Sequence, residues 1–381
     1  MALIREMVEC ESPSGDRAAV NRFVELLGDA MPPFATMKTV PAGSFGGHVI
    51  CEFDLLSKSR KTGRGNLRPF ALPGKKQRGR ILALGHSDTV WPMGTLRSMP
   101  FREQDGRLWG PGVLDMKAGI AFFLHAMRIL HDLDIRVARK IVMQINADEE
   151  VGSETSRALT EKNAKRSQAV LVLEPAGGLD GRVKTGRKGI GGYTVTVHGR
   201  ASHSGLDFAA GASAVLELAR QIEKIASFTD QQRGITVNPG VISGGTRVNV
   251  VAAEAHVEVD MRIPKLKDAA MLDRKFRALR PFDKRCKIEI TGGLNRPPLE
   301  RSEGVVRLFR TAQQLAAEMG VALDETSVGG GSDGNFTAAL GVPTLDGLGA
   351  VGEGAHALNE SILVSRIADR TALLAKLVAA L

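Results

Sequence analysis

The chain has 381 residues, of which 43% are hydrophobic, and this is enough for two domains with a large core. The same composition excludes a disordered chain, and no apolar run approaches the length of a transmembrane helix. The formal net charge is +9, and the nine lysines and arginines between residues 58 and 80, where there is no acid, account for the whole excess. The rest of the chain is balanced, which argues against a protein that is basic throughout.

The first residues and the cysteines bear on localisation. The opening sixteen residues lack a charged segment followed by an apolar one, so they do not resemble a secretory signal. Cys10, Cys51 and Cys286 are far apart and outside every motif, which favours a reducing compartment without a structural disulfide. We therefore expect a cytoplasmic protein. The chain begins inside a helical pattern, which leaves open a native start further upstream.

Helical and apolar strand patterns alternate over the first half of the chain. A helix is predicted from Asp16 to Leu27, and another from Ile120 onward. Apolar strands are predicted to end near Leu84, Asn146 and Leu173. This alternation predicts an α/β fold with a mostly parallel sheet and helices on both faces.

The basic segment from Lys58 to Arg80 interrupts this pattern. Its glycines and prolines predict a solvated loop, inserted into a hairpin that runs from Val49 to Leu84. A nucleic-acid-associated protein that binds through residues 58–80 is the alternative from another functional class. Aromatic residues that could stack on bases are not interleaved with these charges, which disfavours the alternative.

The pattern changes near Lys188. An alternating strand around Tyr193 precedes a helix from Ala212 to Ile225, and a second alternating strand, a charged helix and a last strand follow. This order is typical of a ferredoxin-like α+β module. Further helices are predicted from Val305 to Met319 and from Ile367 onward. We therefore divide the chain into residues 1–187, an inserted domain at 188–297, and residues 298–381, which continue the first domain.

Histidines and acids follow the predicted strands of the first domain. His86 and Asp88 follow the first of these strands, Glu149 and Glu150 the second, and Glu174 the third. Open α/β sheets bind ligands at the carboxyl ends of their strands, so we expect these side chains to lie close together. Each group is unremarkable alone, since a short acidic run is usually a solvated turn.

Two further motifs supply additional metal ligands. Asp115 lies in the glycine-rich GPGVLDMKAG, before a helical pattern, and His356 lies in the small-residue loop GEGAHALNE. A set of two histidines and three carboxylates suits Zn²⁺, with Co²⁺ and Mn²⁺ as alternatives.

Seven motifs in order resemble those of the co-catalytic zinc aminoacylase and carboxypeptidase family. They are H-x-D, G-P-G-x-x-D-x-K-x-G, D-E-E-x-G-S, E-P, A-S-H-S-G, G-G-G-S-D and G-x-G-x-H. That family includes acetylornithine deacetylase, succinyl-diaminopimelate desuccinylase and folate-cleaving glutamate carboxypeptidases. The resemblance covers nearly the whole chain, and the stretch from GHSDTV to DMKAG looks most like the glutamate carboxypeptidase branch.

The resemblance implies a role for each candidate of the first domain. Two zinc ions would share Asp115, with Glu150 and His356 completing one site and His86 and Glu174 the other. Glu149 would be the general base and Asp88 would orient His86, although the spacing alone does not distinguish residue 149 from residue 150. Two such ions can activate a water and stabilise an oxyanion. The peptide bond between Asp115 and Met116 is expected to be cis.

The resemblance also assigns the inserted module as a lid and dimerisation domain, and so implies a homodimer. Within it, His203 would be an oxyanion donor, Asn249 a polar anchor, and Arg262 the residue that binds the substrate's free carboxylate. A turn histidine that caps a helix is the alternative for His203. The backbone around Gly330 could donate N–H groups to the substrate, or be a plain turn.

These observations predict a dinuclear zinc hydrolase that cleaves an amide next to a free α-carboxylate. A carboxypeptidase that releases C-terminal glutamate agrees best with the resemblance. Arg182, Lys184 and Arg296 are then expected to meet the acidic side chain of the substrate, and surface charges are the alternative. An N-acyl-amino-acid deacylase and a dipeptidase, which use the same chemistry on other substrates, stay open.

Overall fold

The computed structural model describes residues 1–55 and 79–381, which form two compact units. Unit 1 comprises Met1–Gly186, Arg301–Val328 and Ser332–Leu381, and unit 2 comprises Arg187–Glu300 and Gly329–Gly331. Apart from Gly79 and Arg80, the basic segment 58–80 lies outside the described residues. Its loop structure and the nucleic-acid alternative therefore stay predictions.

Helices and strands are numbered in chain order. The helices are α1 Ala2–Glu9, α2 Arg17–Ala30, α3 Ala118–Asp132, α4 Arg157–Ala164, α5 Ala214–Ala226, α6 Leu266–Arg277, α7 Glu303–Ala317, α8 Gly334–Ala339 and α9 Ile367–Ala380. The strands are β1 Ala35–Pro41, β2 Gly47–Phe53, β3 Arg80–His86, β4 Arg102–Gln104, β5 Arg107–Trp109, β6 Lys140–Asn146, β7 Ser167–Val172, β8 Val183–Arg187, β9 Gly189–His198, β10 Thr236–Gly244, β11 Glu254–Ile263, β12 Lys287–Arg296, β13 Glu325–Val328, β14 Thr344–Leu345, β15 Gly352–Glu353 and β16 Ser361–Leu363. Across residues 1–55 and 79–381, no helix is both long enough and apolar enough to cross a membrane.

The main sheet of unit 1 has the strand order β1-β2-β6-β3-β7-β14. Strands β6, β3, β7 and β14 pair in parallel, while β1 and β2 form an antiparallel edge. The predicted hairpin between Val49 and Leu84 is wrong, because β6 lies between β2 and β3. The two strands are far apart in the sequence, so no short connection favours their pairing, and β2 pairs instead with β1 and β6.

Helices cover both faces of this sheet, as predicted. Successive side chains of a strand point to opposite faces, and here both sets are buried. Ile81 and Ala83 belong to the larger core, with apolar residues of α1, α2, α3, α7 and α9. Leu82 and Leu84 belong to a second core that includes Ala164 of α4. Burial on both faces explains why these strands are continuously apolar in the sequence.

Unit 2 has the ferredoxin-like arrangement that the sequence predicts. Its elements follow the order β9-α5-β10-β11-α6-β12, and the antiparallel sheet has the order β10-β11-β9-β12. Tyr193 stacks on Phe276 inside its core, with ring centroids 3.8 Å apart. Strand β10 is an edge of the sheet, and its Val241 and Ile242 are 55% and 61% exposed.

Candidate metal centre

The carboxyl ends of three parallel strands carry most of the predicted metal ligands of unit 1. His86 is the last residue of β3, Glu149 and Glu150 follow β6 closely, and Glu174 follows β7 by two residues. Parallel neighbours end at the same edge of the sheet, so these side chains start from one place. Two loops add the other ligands: Asp115 precedes α3, and His356 lies between β15 and β16.

The side chains of these segments converge on the Asp115 carboxylate. Its Oδ1 lies 3.2 Å from His86 Nε2, and its Oδ2 lies 3.5 Å from His356 Nε2. The two histidines each have a second carboxylate nearby. His86 Nε2 is 3.5 Å from Glu174 Oε1, and His356 Nε2 is 3.3 Å from Glu150 Oε2. Asp115 thus lies between two ligand pairs and directs one oxygen to each.

These separations suit two metal ions. Two atoms bound to one zinc ion at about 2.0–2.2 Å, at a tetrahedral angle, are about 3.3–3.6 Å apart. The four distances measured around Asp115 agree closely with this range. Glu150 Oε1 is also buried and has no hydrogen-bond partner among the described residues, as expected of an atom that a cation would satisfy. The residues present therefore fit the predicted group.

Glu149 and Glu150 are adjacent but lie in different ligand groups. One ligand atom each of His86, Glu149 and Glu174 lie within 4.8 Å of one another, and so do those of His86, Asp115 and Glu150. Glu150 also lies close to His356. The two neighbouring carboxylates thus occupy distinct positions in the site, which the sequence spacing alone could not distinguish.

Asp88 links His86 to the acidic turn after β6. His86 Nδ1 donates to the backbone carbonyl of Asp88 at 2.8 Å, closer than the carboxylate at 3.5 Å. The buried Asp88 carboxylate accepts hydrogen bonds from Ser14 Oγ (2.7 Å) and from the backbone N–H groups of Glu149 (3.2 Å) and Glu150 (3.1 Å). A proton on Nδ1 leaves Nε2 of a neutral His86 free to bind a metal.

The electrostatics of the site show how strongly it favours positive charge. Burial lowers the pKa of His86, but hydrogen bonds to Asp115, Asp88 and Glu174 outweigh it, and the pKa is raised well above its usual value. Hydrogen bonds to Asp115 and Glu150 raise the pKa of His356 to about 10. Burial raises the pKa of Glu150. The clustered acids thus favour positive charge at this site, and metal ions would supply that charge.

Supporting residues escaped the sequence analysis although they lie in or beside its motifs. The Asp333 carboxylate, in GGGSDG, accepts from Asn146 Nδ2 at 2.6 Å and from Ser153 Oγ at 2.5 Å. Glu360, at the end of GEGAHALNE, is buried and accepts from the backbone of the Asp115 loop. The signal available in the sequence was the acidic residue at or near the end of each of these two motifs. The Asp115–Met116 peptide bond is cis, as the resemblance implied.

Two polar candidates of unit 2 lie near each other within that unit. His203 Nδ1 accepts hydrogen bonds from the backbone N–H groups of Gly205 (3.1 Å) and Leu206 (3.2 Å). An accepting Nδ1 places the proton of a neutral ring on Nε2, which can then donate. The carbonyl of Asn249 accepts from the N–H of Ser204 at 3.0 Å. The catalytic role of His203 and the substrate-anchor role of Asn249 stay predictions.

Two of the remaining candidates of unit 2, Arg262 and Gly330, have partners within it. Arg262 Nε lies 2.9 Å and 3.1 Å from the two carboxylate oxygens of Asp260, on the same strand. Arg296 is buried on β12. The carbonyl of Gly330 accepts from Arg187 Nη1 at 3.2 Å, which orders the glycine loop.

The three cations predicted to meet an acidic substrate belong to different units. Arg182, in unit 1, has an acidic partner in its own turn, since its Nε lies 2.9 Å from Asp180 Oδ2. Lys184, also in unit 1, is buried, and its backbone pairs with Asp346. Arg296 belongs to unit 2. The contact of Arg182 favours the surface-charge alternative for that residue, and the shared role of the three stays a prediction.

The fold and the ligand set together define a metal-binding α/β enzyme. The model of peptidase family M20/M25/M40 matches residues 82–380. The chain therefore belongs to this family of metallopeptidases, which confirms the resemblance, the α/β fold and the class of enzyme.

Individual relatives agree with this assignment. Over 302 residues, the chain is 31% identical to carboxypeptidase G2 from Pseudomonas sp. (strain RS-16), covering 78% of this chain and 73% of that protein. A tripeptidase from Staphylococcus aureus aligns with a TM-score of 0.76 at 19% identity, over 100% of this chain and 98% of its own. A dinuclear metal-binding peptidase from Bacillus subtilis aligns with a TM-score of 0.67 at 12% identity, over 100% and 96%. The two structural similarities show a shared fold.

Proposed function

We propose that this protein is a dinuclear zinc carboxypeptidase that releases C-terminal glutamate from peptides or N-acyl glutamates. The observation that supports it most is the pair of ligand sets on either side of Asp115. The similarity to carboxypeptidase G2 supports the choice of a carboxypeptidase over the other activities of the family.

In this proposal the metal ligands divide into two sets that share Asp115. Glu150 and His356 would hold one zinc ion, and His86 and Glu174 would hold the other. The ions would supply Lewis-acid polarisation of the scissile carbonyl and charge stabilisation of the transition state. Co²⁺ and Mn²⁺ ions also accept this mixture of nitrogen and oxygen ligands.

Glu149 acts as the general base. Its carboxylate accepts a proton from the attacking water and later donates it to the leaving amine, so one group serves both steps. It lies beside His86 and Glu174, which supports its closeness to the reacting atoms. Asp88 contributes by fixing the His86 ring and the backbone of residues 149 and 150.

Unit 2 provides substrate recognition and assembly in this proposal. We assign residues 188–297 as the lid and dimerisation domain. Arg262 gives up its contact with Asp260 and binds the substrate α-carboxylate with two hydrogen bonds. Nε2 of His203 donates to the developing oxyanion. The exposed apolar residues of the β10 edge support a homodimer through this unit, since such edges readily pair with another strand.

A substrate panel tests the proposal. Zinc-reconstituted enzyme is given benzoyl-Glu, benzoyl-Asp, benzoyl-Ala and benzoyl-Leu, together with N-acetyl amino acids and free dipeptides, and the released amino acids are identified by mass. We expect the acidic benzoyl substrates to have the highest kcat/KM. Preference for acetyl over benzoyl groups, whatever the amino acid, would favour the deacylase. Hydrolysis of dipeptides alone would favour the dipeptidase.

A further inference from the structure

The Glu360 carboxylate is 0% exposed and accepts four hydrogen bonds from N–H donors. Its Oε1 accepts from the backbone N–H groups of Leu114 (2.9 Å) and Asp115 (3.1 Å). Its Oε2 accepts from the backbone N–H of Gly112 (2.9 Å) and from the indole Nε1 of Trp91 (2.7 Å). Burial of a charged group is unfavourable unless it is satisfied in this way, so the four donors fix the carboxylate in one orientation.

These contacts join three segments that carry metal ligands in the proposed function. Trp91 follows His86 and Asp88 in the loop after β3. Gly112, Leu114 and Asp115 form the loop of the shared aspartate. Glu360 itself lies four residues after His356, and its own N–H donates to the carbonyl of Ala357 at 2.9 Å, which closes the loop that carries this histidine.

The hydrogen bond that Glu360 accepts from the Asp115 backbone matters most for geometry. A ligand that lies between two metal ions must direct both of its oxygens correctly, and its side chain starts from a backbone whose N–H groups at residues 114 and 115 both donate to Glu360. Glu360 does not lie among the grouped ligand atoms, which are those of His86, Asp115, Glu149, Glu150 and Glu174. It acts on the centre through its neighbours.

We propose that Glu360 is a positioning residue of the metal centre, which fixes the Asp115 loop against the loop of His356. The inference rests on the proposed two-metal function. Loss of a residue that orients metal ligands typically weakens metal affinity by about 10–100-fold. In Glu360→Gln, only the amide oxygen could accept, because the amide NH₂ is a donor. The NH₂ group would then face N–H donors, and their hydrogen bonds would be lost.

The test measures metal binding, independently of catalysis. Metal-free wild-type protein, Glu360→Gln and Glu360→Asp are titrated with Zn²⁺ in competition with a chromophoric chelator, and with Co²⁺ to record the ligand-field absorption. Glu353→Gln is the matched control, because Glu353 ends strand β15 just before the loop of His356, is 47% exposed at its side chain and forms an ion pair with Arg107 at 2.9 Å. Circular dichroism and thermal unfolding of each metal-free variant report the fold.

We expect wild type and Glu353→Gln to bind two ions alike. Glu360→Gln should bind at least one of them about 10–100-fold more weakly and show an altered Co²⁺ spectrum, while its metal-free form unfolds cooperatively. Glu360→Asp keeps the charge but is too short to reach every donor, so an intermediate loss is expected. If Glu360→Gln does not fold, the metal affinity of Glu360→Asp decides whether Glu360 positions the metal ligands. Wild-type affinities and spectra in both variants would overturn the inference, whereas failure of the wild type to bind two ions would overturn the proposed function itself.

Discussion

The candidate functional side chains of the two units differ in how they are arranged. In unit 1, histidines and carboxylates are brought within 3.5 Å of one another, and most of them are shielded from water. In unit 2, Arg262 pairs with a residue of its own strand, His203 accepts from its own turn, and apolar residues of β10 face outward. The metal-ligand candidates of unit 1 thus meet within that unit, while the roles proposed for unit 2 involve the substrate or a second copy of the chain. Changes at the metal ligands and Glu149 in unit 1 should therefore act on the catalytic rate, and changes at Arg262, Arg296 and the β10 edge in unit 2 on substrate choice and assembly.

Removing the metal should have the largest effect. The clustered acids and histidines of unit 1 are prepared for cations, so treatment with dipicolinate should reduce hydrolysis of benzoyl-Glu to background, and two equivalents of Zn²⁺ should restore it. Activity that persists with less than a tenth of an equivalent of metal, measured by atomic emission, would contradict the assignment of unit 1 as a metal centre.

Replacement of Glu149 by Gln should come next. Loss of a general base lowers the rate by about 10²–10⁴-fold, and we expect this in kcat with KM little changed and two metal ions still bound. Glu154→Gln, at an exposed position four residues after Glu150, is the control and should behave as wild type. Full activity of the Glu149 variant with stoichiometric zinc would mean that another residue is the base.

Two arginines of unit 2 should have separable effects on substrate choice. Arg262→Ala removes a charge-assisted hydrogen-bonding group of about 1.5–3 kcal/mol, so kcat/KM should fall about 10–150-fold for benzoyl-Glu, benzoyl-Ala and benzoyl-Leu alike. Arg296→Met, which leaves a buried position apolar, should lower kcat/KM for benzoyl-Glu only. An equal loss of kcat/KM for all three substrates in the Arg296 variant would show that Arg296 does not recognise the substrate side chain.

The β10 edge should have the smallest effect on chemistry and act on assembly. Val241→Lys and Ile242→Lys place charges on an exposed apolar strand, which disfavours pairing with a second strand. Sedimentation equilibrium should then show a higher dimer dissociation constant than for wild type. Leu133→Lys, at an exposed apolar residue of unit 1, is the control. A monomeric wild type, or a dimer equally stable in both β10 variants, would contradict assembly through this edge.

The sequence was informative where structure is locally encoded. The apolar runs that end at His86, Asn146 and Val172 are strands, because burial on both faces requires continuous apolar residues. The acids after these strands then share one edge for topological reasons. The helix predicted from Asp16 begins at Arg17, with the Asp16 carboxylate accepting from the N–H of Ala19.

What the sequence could not provide depends on partners far along the chain. The failed hairpin is one case, since apolar strands carry little information about which strand they pair with. Glu360 is another, because its donors at Gly112 and Leu114 are backbone groups 248 and 246 residues away. A third case is Gly292 within β12, where a Cβ would lie 2.2 Å from the carbonyl oxygen of Gly192. The close approach of two strands and a φ of +102° both explain that glycine.

Anomalous scattering from zinc-loaded crystals tests the metal centre most directly. Difference maps collected above and below the zinc edge should show two peaks per chain, each about 2.0–2.2 Å from one oxygen of Asp115. One peak should have His356 and Glu150 as its other ligands, and the second His86 and Glu174, with Glu149 bound to neither. A single peak, or Glu149 in the place of Glu174, would contradict the assignment of two ions and of the general base.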